Sequence, residues 1–473
     1  MAGFHIENFG CRAARADGEA IAARLLVSGQ HCLEQPSDAD VVVLNTCSVT
    51  EEADRTARAF IRKIRRDNPA ARIVVTGCYA QRAPEELARI EGVSAVIGNS
   101  HKALAPEIIA NLTSPAAGLS EPEIASGLVP VHTLLASGNA VPVWADDHFA
   151  HSLLEEAQLV PGEQTRPNLK IQEGCGNRCT FCVIPQTRGS SRSMPGAAVL
   201  RQVEGFVAAG GRELVLSGIN LGRWGRDLPD RPAFSALVRQ ILTDTGLPRL
   251  RLSSIEPMDW DQELIGLMAE FGGTRLARHA HLPLQSGSDS VLRRMHRRYR
   301  PWHYVEKVEA LLRAAGPHLT LGADVMVGFP GETDAEFEET AALIRALPFG
   351  YLHLFPFSAR PGTPGQILQG KHPVSPAVVE ERMGMLRALA AEKTRAHRSQ
   401  FVGRQVEAIT LHTPAALAAQ GMSSGLTENF LPVRIGGVLP ANHLVRLRIQ
   451  ALNVDGSLEA FPVAVEAGKP LVQ

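Results

Sequence analysis

The chain reads as an α/β protein in three parts: an N-terminal doubly wound parallel sheet, a central partial (β/α)6 barrel and a small C-terminal β-barrel. Three observations predict this. From residue 1 to about 112, short apolar runs alternate with amphipathic helical stretches. From 168 the same alternation resumes over a longer stretch with six strand candidates. From about 398 only short β-rich runs remain, separated by Gly, Asn and Pro.

In the first part the strand candidates are FHIENFGC, VVVLNTC, RIVVTGC and SAVIGN, with helices expected near 18–28, over 51–66, from Pro84 and near 102–111. Three of these strands end in a cysteine: Cys11, Cys47 and Cys78. The carboxyl ends of parallel strands share one edge of the sheet, where ligands bind. Three cysteines far apart in sequence are therefore expected to meet there, as metal ligands do. Cys32 breaks the pattern and is expected to be a small buried apolar residue. Residues 113–165, rich in Ala, Pro, Gly and Ser, read as a linker or insertion with one short helix near 150–158.

The second part, 166–397, holds the candidates NLKIQEGC, RELVLSGIN, RLRLSSIE, HAHLPLQ, LTLGADVMVGFP and YLHLFPF. Six β/α units without a seventh and eighth predict an open barrel rather than a closed one. In VGFPGET, Pro-Gly makes a turn, and Thr333 with Glu336 fits a capping box that starts the next helix. In the last part, 398–473, QVEAITL, FLPVRI, LVRLRIQAL and FPVAVEA fit a five-stranded barrel of the oligonucleotide-binding kind.

With 45% hydrophobic and 21% charged residues and no apolar run long enough to span a bilayer, a membrane role is not expected. The first twenty residues lack a basic start followed by an apolar core, so the expected location is cytoplasmic, in a reducing compartment. Seven cysteines in such a place point to metal, catalytic or buried roles. A net charge of −1 is silent about nucleic acid, but local charge is not. Arg55, Arg58, Arg62, Lys63, Arg65 and Arg66 are expected on one face of a helix; RRMHRRYR at 293–300 and the basic stretch 382–404 add two more patches. Three patches favour a phosphate-bearing partner over merely solvated helix faces.

The chemistry concentrates in GCGNRCTFCVIPQTRG at 174–189, which follows the first barrel strand. Cys175, Cys179 and Cys182 form CxxxCxxC, and no cysteine follows them. A cubane 4Fe-4S cluster normally takes four thiolates. Three leave one iron with an open coordination position, as in a catalytic metal site. A zinc site would need a fourth ligand, for which His279 or His281 is available, although structural zinc ligands usually come as close-set pairs. A catalytic thiol would need one cysteine, not three. Arg188 and Arg192, just after the loop, are expected either to offset cluster or carboxylate charge or to be ordinary surface residues.

This CxxxCxxC placement resembles the radical S-adenosylmethionine (SAM) superfamily. More narrowly, NTCSVTEEAD, VTGCYAQ, GCGNRCTFCVIPQTRG, LPLQSGSDSVLRRM, VGFPGET and FPFSARPGTP together are similar to the methylthiotransferases. The resemblance implies two 4Fe-4S clusters, one on Cys175, Cys179 and Cys182 and a second on Cys11, Cys47 and Cys78, with SAM as both methyl donor and radical source. It also implies a C-terminal TRAM barrel that binds RNA. Ser217, Gly218, Asn220, Ser253, Glu256 and Gln285, at the ends of strands two to four, become candidates for SAM contacts. The N-terminal motifs most resemble the branch acting on N6-threonylcarbamoyladenosine at position 37 of tRNA. N6-isopentenyladenosine in tRNA and an aspartate of a ribosomal protein are the alternative substrates of such enzymes, and a non-catalytic iron-sulfur RNA-binding protein is the alternative class. The electron donor and sulfur source stay unidentified.

Overall fold

The computed structural model describes residues 2–113, 141–149, 151, 154 and 165–463. Most of the helix expected near 150–158 and the end of the last β run lie outside these residues. The chain forms two compact units. The first comprises Met1–Gln158, Gln172–Ser193 and Ser358–Ile367; the second comprises Leu159–Ile171, Met194–Phe357 and Leu368–Gln473.

The first unit is built on strands β1 (Gly3–Asn8), β2 (His31–Cys32), β3 (Val41–Thr46), β4 (Arg72–Gly77), β5 (Val93–Gly98) and β6 (Val143–Trp144), in the order β2-β1-β3-β4-β5-β6 and all parallel. Helices α1 (Arg12–Val27), α2 (Glu51–Asp67), α3 (Cys78–Arg82), α4 (Pro84–Ala88) and α5 (Ala105–Thr113) connect them. The apolar run of β3 shows why the sheet is covered twice. Val42 and Leu44 pack with Ala57, Ile61 and Ile64 of α2, whereas Val41 and Val43 pack with Ile21 and Leu25 of α1 and Ile109 of α5. Successive strand residues point to opposite faces, so a strand buried on both has no room for polar alternation. Two details differ from the sequence reading. Val143–Trp144, within the stretch read as a linker, is a sixth strand beside β5. Cys32 sits on the edge strand β2 and is exposed, not buried, because an edge strand lacks a neighbour to cover it.

The six barrel strands are β7 (Asn168–Glu173), β9 (Glu213–Gly218), β10 (Arg249–Leu252), β11 (His279–His281), β12 (Thr320–Val327) and β13 (Phe349–Pro356); β8 (Arg192–Ser193) is a short extra strand antiparallel to the end of β7. In the second unit β9 and β10 pair in parallel, as do β11, β12 and β13, and Ile255 N–H donates to His281 O at 3.0 Å between the two sets. Among the described residues no ladder joins β13 back to β7, so the barrel is open. The capping box expected from VGFPGET is present: Thr333 caps helix Asp334–Ala346 and Glu336 reaches back to it.

Strands β14 (Gln405–Thr410), β15 (Met422–Thr427), β16 (Pro432–Gly436), β17 (Leu444–Leu452) and β18 (Leu458–Pro462) close a five-stranded barrel in the order β14-β15-β16-β18-β17. Its core holds Ala408, Val433, Ile435, Leu447, Ile449 and Leu458. Closure removes the free strand edges that short antiparallel sheets would otherwise expose.

Candidate functional site

In the first unit the register of the sheet brings the dispersed cysteines to one edge. Thr46 of β3 pairs with Gly77 of β4, so Cys47 and Cys78 leave neighbouring strands at the same level. Asn8 pairs with Asn45, and Cys11 follows β1 as the N-cap of α1. Two glycines permit this crowding. Gly77 has φ +98, and a Cβ there would meet Thr46 O at 2.4 Å; Gly10 has φ +114, and a Cβ there would meet Cys47 Cβ at 2.6 Å. Cys47 and Cys78 are buried and Cys11 is exposed. Burial first, and then the neighbouring Cys78, push the Cys47 thiol up to about 12. A metal that binds there displaces a proton from a thiol that is otherwise neutral.

Arg188 lies at the centre of this edge. Its side chain has no exposed surface, which overturns the alternative of an ordinary surface role. Nε donates to Cys78 Sγ at 3.3 Å, and Nη1 donates to Asp17 Oδ2 at 3.1 Å and Glu173 Oε1 at 2.7 Å. Burial works against its charge, but Cys78, Glu173 and Asp17 outweigh that and hold its pKa well above the usual arginine range. A buried guanidinium this well surrounded stays cationic. Asn99 adds a second donor, with Nδ2 3.5 Å from Cys78 Sγ and 2.8 Å from Thr187 O. Arg192 is the milder neighbour: it donates to Arg188 O at 3.0 Å and lies over the Phe149 ring.

The loop of Cys175, Cys179 and Cys182 belongs to the same unit. Its ends are tied by Cys175 N–H to Gly189 O and Cys182 N–H to Cys179 O, both at 3.1 Å. Asn177 N–H donates to Cys175 Sγ at 3.4 Å. Donors aimed at sulfur stabilise the thiolate form and tune iron-sulfur centres. Beneath Cys47, the Ser48 hydroxyl donates to Asp54 Oδ1 at 2.8 Å, and Arg82 and Arg360 both bind Asp54 and Ser48. Nothing in the sequence pairs Arg360 with Asp54, 306 positions away.

The expected SAM contacts lie on the second unit. Ser217 and Gly218 end β9, Asn220 follows, Ser253 follows β10, and Gln285 follows β11. Ser217 Oγ, Ser253 Oγ and Gln285 Oε1 are buried with no hydrogen-bond partner among the described residues. Buried polar atoms without partners are costly, and three at successive strand ends fit a polar ligand such as SAM. Gln285 also holds φ +61, uncommon for a non-glycine residue. Glu256 differs, because both its oxygens accept from Arg297 at 2.7 and 2.6 Å. The histidines available to a zinc site have other neighbours: His279 Nε2 is 2.8 Å from Tyr351 Oη and His281 Nε2 is 3.3 Å from Asp324.

The three basic runs differ in how many cations they expose, and α2 exposes a continuous set, of which Arg55, Arg65 and Arg66 pair with the surface carboxylates Glu52, Glu91 and Asp67. On α2, Ala57, Ile61 and Ile64 face the core, leaving Arg55, Arg62, Lys63, Arg65 and Arg66 exposed; Arg58 turns to Tyr79 and Glu86. The run 293–300, read as a basic patch, is largely paired with carboxylates. Arg293 and Arg300 bind Asp289, Arg294 binds Glu336, Arg297 binds Glu256, and Arg298 binds Asp259. In the run 382–404, Arg382 is buried on Glu332 and Asp334, and Lys393 and Arg398 donate to backbone carbonyls.

Comparison with known proteins adds family information to this geometry. Residues 3–98 match a model described as Uncharacterized protein family UPF0004, and residues 169–344 match the Radical SAM superfamily. The chain is 34% identical over 440 residues to the threonylcarbamoyladenosine tRNA methylthiotransferase MtaB of Bacillus subtilis (strain 168), covering 92% of this chain and 91% of that protein. It is 36% identical over 410 residues to the tRNA-2-methylthio-N(6)-dimethylallyladenosine synthase of Parafrankia sp. (strain EAN1pec), covering 86% and 77%. The radical SAM methyltransferase TsrM of Kitasatospora setae, solved with cobalamin and a [4Fe-4S] cluster, shares the fold with a TM-score of 0.51 at 16% identity, over 78% of this chain and 77% of that one.

Proposed function

This chain belongs to the radical SAM methylthiotransferase family, and from that premise we propose that it adds a methylthio group to carbon 2 of N6-threonylcarbamoyladenosine at position 37 of tRNA. The observation that carries the reading is the edge where Cys11, Cys47 and Cys78 follow three adjacent strands, in the unit that also holds the CxxxCxxC loop. One set of three cysteines would serve radical generation alone. A second set, at a sheet edge rather than in a loop, supports a second cluster at which sulfur is held.

Cys175, Cys179 and Cys182 would hold the first 4Fe-4S cluster, and three thiolates would leave one iron free to take SAM. When bound, the cluster and SAM supply the radical that removes hydrogen from carbon 2, together with the methyl group; no acid or base in the chain can replace a C–H bond of this kind. Arg188 and Asn99 direct donors at Cys78 and offset the charge of a thiolate there. The exposed cationic face of α2 and the C-terminal barrel grip the tRNA backbone, because phosphate contacts position a nucleic acid before any base is read. In tRNA nucleosides from cells with and without the gene, mass spectrometry should find the methylthio derivative of threonylcarbamoyladenosine only where the gene is present. A change confined to the isopentenyl derivative would move the assignment to the other tRNA branch, and no change in tRNA would point to the protein substrate.

A further inference from the structure

Strands β11, β12 and β13 carry a polar row where a filled barrel carries branched apolar side chains. Alternate residues of a strand share a face. His279 and His281 on β11, Asp324 on β12, and Tyr351 and His353 on β13 form that row. Asp324 pairs directly with His353, and His281 pairs with Gly322, two residues before Asp324. Three neighbouring strands thus each contribute one side chain to a common point. Asp324 Oδ1 lies 3.3 Å from His281 Nε2 and 3.2 Å from His353 Nδ1, and the three atoms fall within 4.8 Å of one another.

A hydrogen-bonded His-Asp-His triad and a metal site both predict such distances, and His281 separates them. It is 8% exposed, and its buried Nε2 faces the Asp324 carboxylate oxygen at 3.3 Å in a poorly aligned contact that leaves its hydrogen-bonding capacity only partly used. A buried ring nitrogen left in that condition costs free energy unless another group takes it up. A tetrahedral ion bound at about 2.0–2.1 Å places its ligands about 3.3 Å apart. Two imidazoles and a carboxylate suit zinc and its first-row neighbours better than magnesium or calcium. Tyr351 stacks against His281 with centroids 5.9 Å apart and an interplanar angle of 16°, and so holds the ring in place. His353, with 62% of its side chain exposed, leaves a path for entry.

We propose that His281 Nε2, Asp324 Oδ1 and His353 Nδ1 bind one divalent transition-metal ion, with zinc as the preferred occupant and at least one coordination position left open. The site uses no cysteine and is independent of the iron-sulfur assignments. The test uses full-length protein carrying its complete iron and sulfide content, equilibrated anaerobically with micromolar zinc and analysed for zinc and iron together. About one zinc per chain is expected, with nitrogen and oxygen neighbours near 2.0 Å by X-ray absorption. His353→Ala, at a mostly exposed position, and Asp324→Asn should each remove that zinc while iron content stays unchanged. Zinc bound with sulfur neighbours, zinc retained in His353→Ala, or no zinc above a bovine serum albumin-corrected background in the wild type would each overturn the site in favour of a hydrogen-bonded triad.

Discussion

The two cysteine sets of the first unit reach three thiols by opposite routes. Cys175, Cys179 and Cys182 lie in one loop, tied by backbone hydrogen bonds to Gly189 and within itself. Cys11, Cys47 and Cys78 are spread along the sequence and meet only because β1, β3 and β4 are neighbours in a parallel sheet. A loop set depends on local backbone conformation. A strand-end set depends on the register of a whole domain, and two of its thiols, Cys47 and Cys78, inherit that domain's burial, as the elevated Cys47 shows. On the proposed function the difference suits two tasks, with the partly exposed loop open to a cofactor and the sheet edge holding the sulfur.

The largest expected effect separates the two sets outright. Replacing Cys175, Cys179 and Cys182 together with Ala should abolish deoxyadenosine formation from SAM and remove one cluster's iron, leaving the other's. Iron analysis of anaerobically reconstituted protein checks this, and a wild type holding only one cluster's iron would collapse the comparison to a single site. Replacing Cys11, Cys47 and Cys78 should give the converse: deoxyadenosine still forms, and methylthiolated nucleoside disappears. Methylthiolation that persists in that triple variant would remove the sulfur role from the sheet edge.

Arg188 sharpens the comparison at a single residue. Its guanidinium binds Cys78 of the strand-end set and Glu173, two residues before the loop set. Arg188→Gln takes a buried cation from Glu173 and leaves Asp17 to Lys102, and should destabilise the protein by about 3–5 kcal/mol, the usual result of breaking a buried ion pair from one side. Arg188→Lys keeps the charge and loses the fork, so it should recover part of the stability. In both, the reduction potential of the N-terminal cluster should shift, measured by titration in the Cys175, Cys179 and Cys182 triple background. Lost stability with an unmoved potential would make Arg188 structural only.

The sequence revealed the two sets unequally. The loop set was plain from spacing. The strand-end set was legible through topology, because Cys47 and Cys78 follow buried apolar strands and Cys11 follows the strand β1 beside them. Asp17, the partner of Arg188, was not legible: it lies 171 positions away and in sequence is one acidic residue in an alanine-rich helix. The basic run 293–300 misled for the same reason, since its carboxylates Glu256, Asp259 and Glu336 come from other segments. Strand β15, MSSGLT, was missed because Ser and Gly carry no β preference; pairing with β14 and β16 on either side makes it a strand. The His281, Asp324 and His353 cluster was equally hidden, one residue per strand.

The helix that follows Cys47 extends the comparison from sulfur to RNA. If the N-terminal domain carries both roles, changing the exposed Arg62 and Arg65 of α2 to Glu should weaken tRNA binding and flatten its dependence on salt by roughly one to two units of slope. SAM cleavage measured without RNA should be unchanged. An unaltered salt slope would place the phosphate contacts elsewhere.

The smallest effect is expected at the seventh cysteine, which tests whether strand-end position, rather than mere presence in the N-terminal domain, makes a ligand. Cys32 ends β2, which is parallel to β1 and at the edge of the same sheet, yet it is exposed and pairs with Phe4 near the start of β1. It therefore sits at the opposite end of β1 from Cys11. Cys32→Ala should keep iron, sulfide and methylthiolation at wild-type levels, because substitution at an exposed position usually changes stability by less than about 0.5 kcal/mol. In the wild type, Cys32 should also react readily with an alkylating reagent under conditions where cluster-bound cysteines are protected, as peptide mass spectrometry would show. Loss of one cluster's iron from Cys32→Ala would mean that the sheet edge does not select its ligands by position along the strand, and the contrast between the two sets would have to be redrawn.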